Sequence, residues 1–148
     1  MYITLEAANE YFATRLHADA WDDVNSDSEN EKIKALTTAS NALDRLNYVS
    51  QKADNDQQHE FPRGGDTTIP VELQIACCEE ALSLLEGRDP IMEEEQLRLY
   101  TQTYANVKAG YDPKMASEHI INGFTSPIAW RYIKPFLRNQ MSPEVVRV

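Results

Sequence analysis

Residues 59–90, HEFPRGGDTTIPVELQIACCEEALSLLEGRDP, determine how the rest of the chain is arranged. They predict a helix over residues 70–86, because proline suits the first turn of a helix and Gly87 followed by Asp89-Pro90 would end it. Apolar residues lie on more than one face of this helix: Val71, Leu73, Ile75, Ala76, Cys77, Ala81, Leu82, Leu84 and Leu85. So wide an apolar surface is typical of a helix that several neighbours contact. We therefore predict that residues 70–86 form the central helix of the fold.

A turn and a long loop precede this helix. Phe61, Pro62, Arg63, Gly64 and Gly65 form the predicted turn, because paired glycines tolerate positive φ and proline fixes its own φ. The backbone amides of this turn could face an anion, but a lone glycine pair is weak evidence and a plain turn is the simpler interpretation. Residues 47–60 are polar and predict a loop with short extended pieces at most.

Helical periodicity predicts three further helices in the first two thirds of the chain. Amphipathic spacing covers residues 5–17, 29–47 and 91–106. Thr4 suits the N-cap of the first, and Ser28 with Glu31 resembles a capping box for the second. We predict Trp21 to fill the end of the bundle. The fold class is therefore all-α: a small four-helix bundle over residues 1–108, with a long loop between its second and third helices.

The C-terminal part, residues 109–148, differs in character from the bundle. Ser126 and Pro127 predict the start of a short helix over about residues 127–138, which Pro135 would shorten or kink. The segment is basic and aromatic, which favours an extended docking arm. The alternative is a final helix folded back on the protein's own core, and the sequence leaves both open.

The charge is uneven along the chain. The 148 residues carry a formal net charge of −10, and the imbalance lies before residue 96, where 21 acidic and 7 basic residues occur. From residue 96 onward, 3 acidic and 7 basic residues give a net charge of +4. An acidic body argues against a protein that grips nucleic acid through its phosphates, since that affinity comes mainly from Lys and Arg.

No catalytic, metal or cofactor site is predicted. The three histidines, His17, His59 and His119, lack metal-ligand spacing, and no phosphate-binding or nucleophile motif occurs. Cys77 and Cys78 are adjacent in the central helix, where we expect them to be reduced and buried. The N-terminus shows no signal-peptide pattern and no apolar run reaches the ~20 residues of a membrane span. We expect a soluble, intracellular protein that is not an enzyme.

An ordered set of residues nevertheless resembles a known family. The set combines an N-terminal helix pattern, an Ala-Trp pair and the turn that leads into the central helix: Thr4, Leu5, Ala8, Asn9, Tyr11, Phe12, Arg15, Ala20, Trp21, Asp44, Arg45, Leu46, Phe61, Pro62, Arg63, Ile69, Pro70, Ala76, Glu79, Ala81 and Leu82. It is similar to the head–tail connector, or adaptor, proteins of tailed bacteriophages, which are often labelled DnaT-like single-stranded-DNA-binding proteins. The similarity covers residues 2–90, and the C-terminal element from Pro127 to Leu137 also matches.

The resemblance implies a structural virion protein without cofactors, made in the host cytoplasm. It would form a ring, usually twelve-fold, beneath the portal and join the capsid to the next neck or tail protein. Double-stranded DNA would pass through the ring without specific binding. On this reading the C-terminal residues contact the portal: Trp130, Arg131, Ile133, Lys134, Phe136, Leu137 and Arg138. The loop residues Phe61, Arg63, Gly64 and Gly65 are the expected ring contacts.

Two other functions stay open at this point. A single-stranded-DNA-binding module would need aromatic side chains set in a positive groove, for which Tyr48, Phe61 and Tyr111 are candidates. A small helical protein–protein adaptor with no phage role would share the composition, bind a single partner and need no ring.

Overall fold

The computed structural model describes residues 1–23, 29–103 and 117–138, and their side chains except those of residues 97–103. Within these ranges the chain is helical and carries no strand, which confirms the all-α class. The helices, in chain order, are α1 (Leu5–Ala13), α2 (Asp19–Asp22), α3 (Glu29–Leu43), α4 (Val71–Leu85), α5 (Pro90–Thr103), α6 (Glu118–Ile121) and α7 (Pro127–Ile133), followed by a 3₁₀ turn over Lys134–Phe136.

Helix α4 is the centre of the fold, as the sequence predicted. Nine of its 15 residues are buried, namely Leu73, Ala76, Cys77, Cys78, Glu79, Glu80, Ala81, Leu82 and Ser83. Helices α1, α2, α3 and α7 all contact it. A helix surrounded in this way removes apolar surface from water on every side, so most of the core depends on it.

Local signals at the helix starts are confirmed where the structure describes them. The Thr4 hydroxyl accepts a hydrogen bond from the Ala7 amide at 3.3 Å, and the Ser126 hydroxyl accepts one from the Ala129 amide at 3.1 Å. Ser28, the other predicted cap, lies outside the described residues. Pro70 precedes α4 by one position instead of opening it.

Two helices are shorter than predicted because tighter turns end them. After α1 the amides of Thr14 and Arg15 donate to carbonyls three residues back, at 3.2 Å each. After α3 the amides of Arg45 and Leu46 do the same, at 3.3 and 3.2 Å. Hydrogen bonds of this i→i−3 type are typical of a closing turn, so α1 and α3 stop before residues 17 and 47.

The predicted four-helix bundle is not confirmed, because the side chains that the structure describes in α5, those of residues 90–96, include no buried one. Ile91 and Met92 near the start of α5 are 68% and 58% exposed, and α5 contacts α6. Helix α7, in contrast, packs against α4, and its Ala129, Trp130 and Ile133 are buried. The physical reason is that α7 offers α4 a fully apolar inner face. The boundary predicted near residue 108 lies outside the described residues.

The long loop is held to the rest of the fold by backbone hydrogen bonds. The Val49 amide donates to the Phe136 carbonyl, and the Arg138 amide donates to the Asn47 carbonyl, each at 3.0 Å. The bridges Tyr48–Leu137 and Lys52–Arg63 are the short extended pieces that the sequence allowed. The loop and the C-terminal segment therefore support each other. No helix in the described part of the chain is long and apolar enough to cross a membrane.

The two cysteines are free and fully buried, as predicted. Burial raises the pKa of the Cys77 thiol to about 11 and also raises that of Cys78. Because the thiolate is the reactive form, we expect neither cysteine of the native protein to react with a colorimetric disulfide reagent at pH 8. Both should react at once in guanidinium. Rapid labelling of the native protein would show that the core around α4 opens more readily than its burial implies.

Candidate functional site

The position of α7 is fixed by a buried carboxylate of α4. Glu80 is 1% exposed, and one of its oxygens accepts hydrogen bonds from the Thr125 amide and hydroxyl, each at 3.0 Å. The other oxygen accepts from the Ser126 amide at 2.9 Å. These donors belong to the residues that begin α7, where backbone amides lack partners within the helix. One acidic side chain thus ties the start of α7 to the core helix.

The electrostatics of Glu80 combine two opposing effects. Burial raises the pKa of its carboxyl group, while the hydrogen bonds from Thr125 and Ser126 and the charge of Arg88 lower it, and burial is the larger effect. No cation pairs directly with Glu80 among the described residues. The hydrogen bonds are therefore what keep this carboxyl group in the interior.

The apolar residues predicted to contact a portal face inward. Trp130 is 6% exposed and Ile133 is fully buried, while Phe136 and Leu137 are partly buried against the same core. The Phe136 ring lies 5.8 Å from that of Phe61, in an edge-to-face arrangement. Of the two alternatives left open by the sequence, residues 117–138 take the second: the final helix folds back on its own core. These four side chains therefore pack against the protein's own core and do not form a surface for a partner.

The opposite side of this segment is exposed, and we call it the outer α7 face: Ile128, Arg131, Tyr132, Lys134 and Arg138. Ile128 and Tyr132 are 39% and 37% exposed. Arg131 and Arg138 form no ion pair with any described residue, whereas Lys134 pairs with Glu118 at 2.7 Å. That pairing lowers the pKa of the Glu118 carboxyl. The face combines half-exposed apolar side chains with cations on a firmly held helix.

Three of the seven residues predicted to contact a portal lie on the outer α7 face. Two further residues of this face, Ile128 and Tyr132, were not predicted. Arg131, Lys134 and Arg138 are exposed as a docking surface requires. Ile128 and Tyr132 were missed because the predicted anchors were Trp130, Ile133, Phe136 and Leu137, which lie on the other side of the segment. The i, i+4 spacing of Ile128 and Tyr132 was the available signal, since residues four apart share one side of a helix.

The loop residues predicted as ring contacts are divided between core and surface. Phe61 is 5% exposed, and its ring packs 4.7 Å from that of Tyr48. The Arg63 guanidinium donates to the Glu60 carboxylate at 2.5 Å, to the Val49 carbonyl at 3.1 Å and to the Ser50 carbonyl. Gly64, with φ of 61°, and Gly65 are exposed. Arg63 therefore closes the turn, and contact of the two glycines with another subunit stays a prediction.

Aromatic residues that could have stacked on bases are also placed inside. Tyr48 is 1% exposed and donates its hydroxyl hydrogen to the Leu43 carbonyl at 2.8 Å. Tyr48 and Phe61 are thus closed to a DNA base, and Tyr111 lies outside the described residues. Among the residues the structure describes, no group of three or more His, Cys, Asp or Glu side chains is placed to hold a metal ion.

Comparison with known families identifies the chain's relatives. The family model described as "Putative DnaT-like ssDNA binding protein" matches residues 1–148, the whole chain. The chain belongs to this family. No curated protein and no solved structure matches it.

Membership of the DnaT-like family confirms one half of the resemblance found in the sequence. The match includes the C-terminal part of the chain as well as residues 2–90, so the outer α7 face lies within the family's region. The family's description names single-stranded-DNA binding and does not mention phage connectors. The connector reading is therefore a proposal that rests on the residues quoted above.

Proposed function

We propose that this DnaT-like family member is a structural adaptor that binds a protein partner through the outer α7 face. The observation that supports this most directly is the pair of half-exposed apolar side chains, Ile128 and Tyr132, beside Arg131 and Arg138, two exposed cations that pair with no acid in the described part of the chain. Protein interfaces favour Tyr and Arg at their centres. A helix held by Glu80 presents these groups with little loss of conformational freedom on binding.

The chemistry of this face sets the kind of partner it fits. Ile128 and Tyr132 would enter a shallow apolar groove, and Arg131, Lys134 and Arg138 would pair with carboxylates around it. The resemblance to phage head–tail connectors makes the portal protein the proposed partner. The chain would then form a ring beneath the portal, join the capsid to a neck or tail protein and act without catalysis. Its acidic body would line a channel through which DNA slides without being held.

Single-stranded-DNA binding is the second candidate, and the family comparison favours it over the connector. The outer α7 face could serve this function too, because Tyr132 could stack on a base while Arg131, Lys134 and Arg138 contact phosphates. The net charge of −10 opposes it, since the acids elsewhere on the protein reduce the attraction of a nucleic acid to this cationic face. Tyr48 and Phe61 cannot contribute, because they are buried.

A double substitution of the outer α7 face separates these candidates. Arg131→Glu with Tyr132→Ala should weaken binding to portal rings of the same phage about a hundredfold, as expected when a central anchor and a cation are lost. Ile33→Ala with Lys34→Glu is the matched control, since Ile33 is also 37% exposed and Lys34 also lies on a helix surface. Co-sedimentation with portal rings measures the first interaction, and fluorescence anisotropy of labelled single-stranded DNA at low salt measures the second.

Three results are possible. Portal binding that the α7 substitutions abolish and the α3 substitutions spare supports the adaptor. DNA binding that falls with added salt and with the α7 substitutions, without portal binding, supports the second candidate instead. If neither partner's binding depends on Arg131 and Tyr132, the outer α7 face is not the functional site.

A further inference from the structure

An Asn-Gly pair, Asn122 and Gly123, lies exposed at the end of α6 and is the only such pair in the sequence. An asparagine side chain reacts most readily with the backbone when glycine follows it, because no Cβ hinders the approach of the glycine nitrogen. The pair directly precedes Phe124, Thr125 and Ser126, which are buried. A reaction at this pair would therefore alter the backbone that leads into α7.

The folded chain holds the Asn-Gly pair in an unreactive geometry. The Asn122 side-chain amide donates to the Glu118 carbonyl at 2.8 Å, and the Gly123 backbone amide donates to the Ile120 carbonyl at 3.0 Å. Asn122 has ψ of 8°, which turns the Gly123 nitrogen away from the asparagine side chain, so a five-membered ring cannot close between them. The end of α6 has to open before the pair can react.

The residues after the pair keep the end of α6 closed. Phe124 is fully buried, and its amide donates to the His119 carbonyl at 2.8 Å. Glu80 then accepts from the amides of Thr125 and Ser126, at 3.0 and 2.9 Å. Helix α6 has four residues, none of them buried, and a single turn of this length is not stable by itself. Closure of the turn therefore depends on the anchor at Glu80.

We propose that Asn122 is a site of spontaneous deamidation, and that release of Thr125 and Ser126 from Glu80 is the opening that permits it. In the open form the Gly123 backbone nitrogen attacks the side-chain carbonyl carbon of Asn122. A C–N bond forms at that carbon, the bond to Nδ2 breaks, and ammonia leaves with the proton of the Gly123 nitrogen. Water then opens the resulting cyclic imide at either carbonyl, which leaves aspartate or isoaspartate at position 122.

Both products would disturb the start of α7. Each adds a negative charge at the C-terminal end of α6, where the helix dipole disfavours an anion. Isoaspartate also inserts a methylene group into the backbone two residues before the fully buried Phe124. This shift opposes the hydrogen bonds to Glu80, so the modified protein should hold α7 less firmly. The change accumulates with the age of the protein, whichever partner the outer α7 face binds.

Peptide mapping by mass spectrometry measures the reaction in the full-length protein during incubation at neutral pH. A synthetic peptide with the sequence of residues 117–126 gives the rate of the open form. The wild type should react at Asn122 about a hundredfold more slowly than the peptide, because a packed segment opens only rarely. Separation of the aspartate and isoaspartate peptides confirms that the reaction passes through the cyclic imide.

Substitutions on two sides of α4 test which opening matters. Glu80→Ala should react about a hundredfold faster than the wild type, since the amides of Thr125 and Ser126 lose their acceptor. Arg15→Ala and the milder Tyr11→Phe are matched controls, because both remove a donor from the neighbouring Glu79 and leave the start of α7 intact. Both controls should react within about twofold of the wild-type rate. Circular dichroism checks that each variant is folded, and Tyr11→Phe decides if Arg15→Ala is not.

Each outcome decides the proposal. Slow reaction at Asn122 in the wild type, accelerated by Glu80→Ala and by neither control, supports it. Reaction of the wild type at the peptide's rate overturns it, as does the absence of reaction at Asn122 in both the wild type and Glu80→Ala. Equal acceleration by Glu80→Ala and by the folded control would show that global unfolding is the opening, and that result also overturns it. Neither portal rings nor DNA enter these measurements, so the result is independent of the proposed function.

Discussion

Replacing Arg15 by alanine is expected to lower the free energy of unfolding by about 4 kcal/mol, as measured when one partner of a buried ion pair is removed. Glu79 is only 3% exposed, and Arg15 contacts both of its oxygens. Without the guanidinium, Glu79 would keep the Tyr11 hydroxyl, 2.5 Å away, as its described hydrogen-bond partner. One neutral donor cannot replace the two charged ones, so the buried carboxylate would be poorly solvated.

Urea denaturation of the wild type and the variant measures this effect. Lys52→Ala is the control, because the Lys52–Glu60 pair at 3.0 Å has side chains 30% and 24% exposed and should contribute about 0.5 kcal/mol. Glu79→Ala should cost less than Arg15→Ala, since Arg15 can turn toward water. Equal and small losses for Arg15→Ala and Lys52→Ala would contradict the importance of burial at this pair.

Replacing Glu80 by alanine is expected to lower the free energy of unfolding by about 3 kcal/mol, which corresponds to a fall of about 10 °C in the melting temperature of a chain of this size. The substitution leaves the amides of Thr125 and Ser126 without their acceptor in the interior. Part of this loss is offset, because the variant no longer has a carboxylate to bury. Glu118→Ala, at a 55% exposed carboxylate in the same segment, should change stability by less than about 0.5 kcal/mol.

The dependence on pH follows from the raised pKa of Glu80. A carboxyl group with a higher pKa in the folded protein binds its proton more tightly there, so its contribution to stability is greatest below its ordinary value of 4.5 and falls as the pH rises through the folded pKa. Glu80→Gln lacks this titration. The difference in unfolding free energy should therefore move in favour of the glutamine variant as the pH rises, and an unchanged difference would contradict the direction of the shift.

Local sequence signals predicted the helices well, because the chemistry behind them is local. Thr4 and Ser126 cap the helices they were assigned to, and α4 lies within one residue of its predicted bounds at each end. The packing of α7 against α4 could not be predicted in the same way. It depends on whether the inner face of α7 fits a surface that residues distant in the sequence form, which local signals do not report.

Of the residues predicted to contact a portal, the charged ones are exposed and the apolar ones pack against the protein's own core. Arg131, Lys134 and Arg138 are on the surface because long charged side chains rarely tolerate burial. Trp130 and Ile133 looked like anchors for a partner, yet the same apolar character suits them to the core. The buried Glu79 and Glu80 were missed as well, since their pairing with Arg15 and with the start of α7 joins residues 64 and 45 positions apart.

The packing of α7 against α4 also sets the order in which the chain can fold during synthesis. When residues 1–103 have been made, α4 is complete, but the side that Ala129, Trp130 and Ile133 will cover is open to water, and Glu80 has none of its three donors. At this stage Tyr48 also lacks its bridge to Leu137, and Phe61 lacks its ring contact with Phe136. Nascent chains in this state expose apolar surface that invites aggregation. The core is therefore fully covered only after residues 117–138 have been translated.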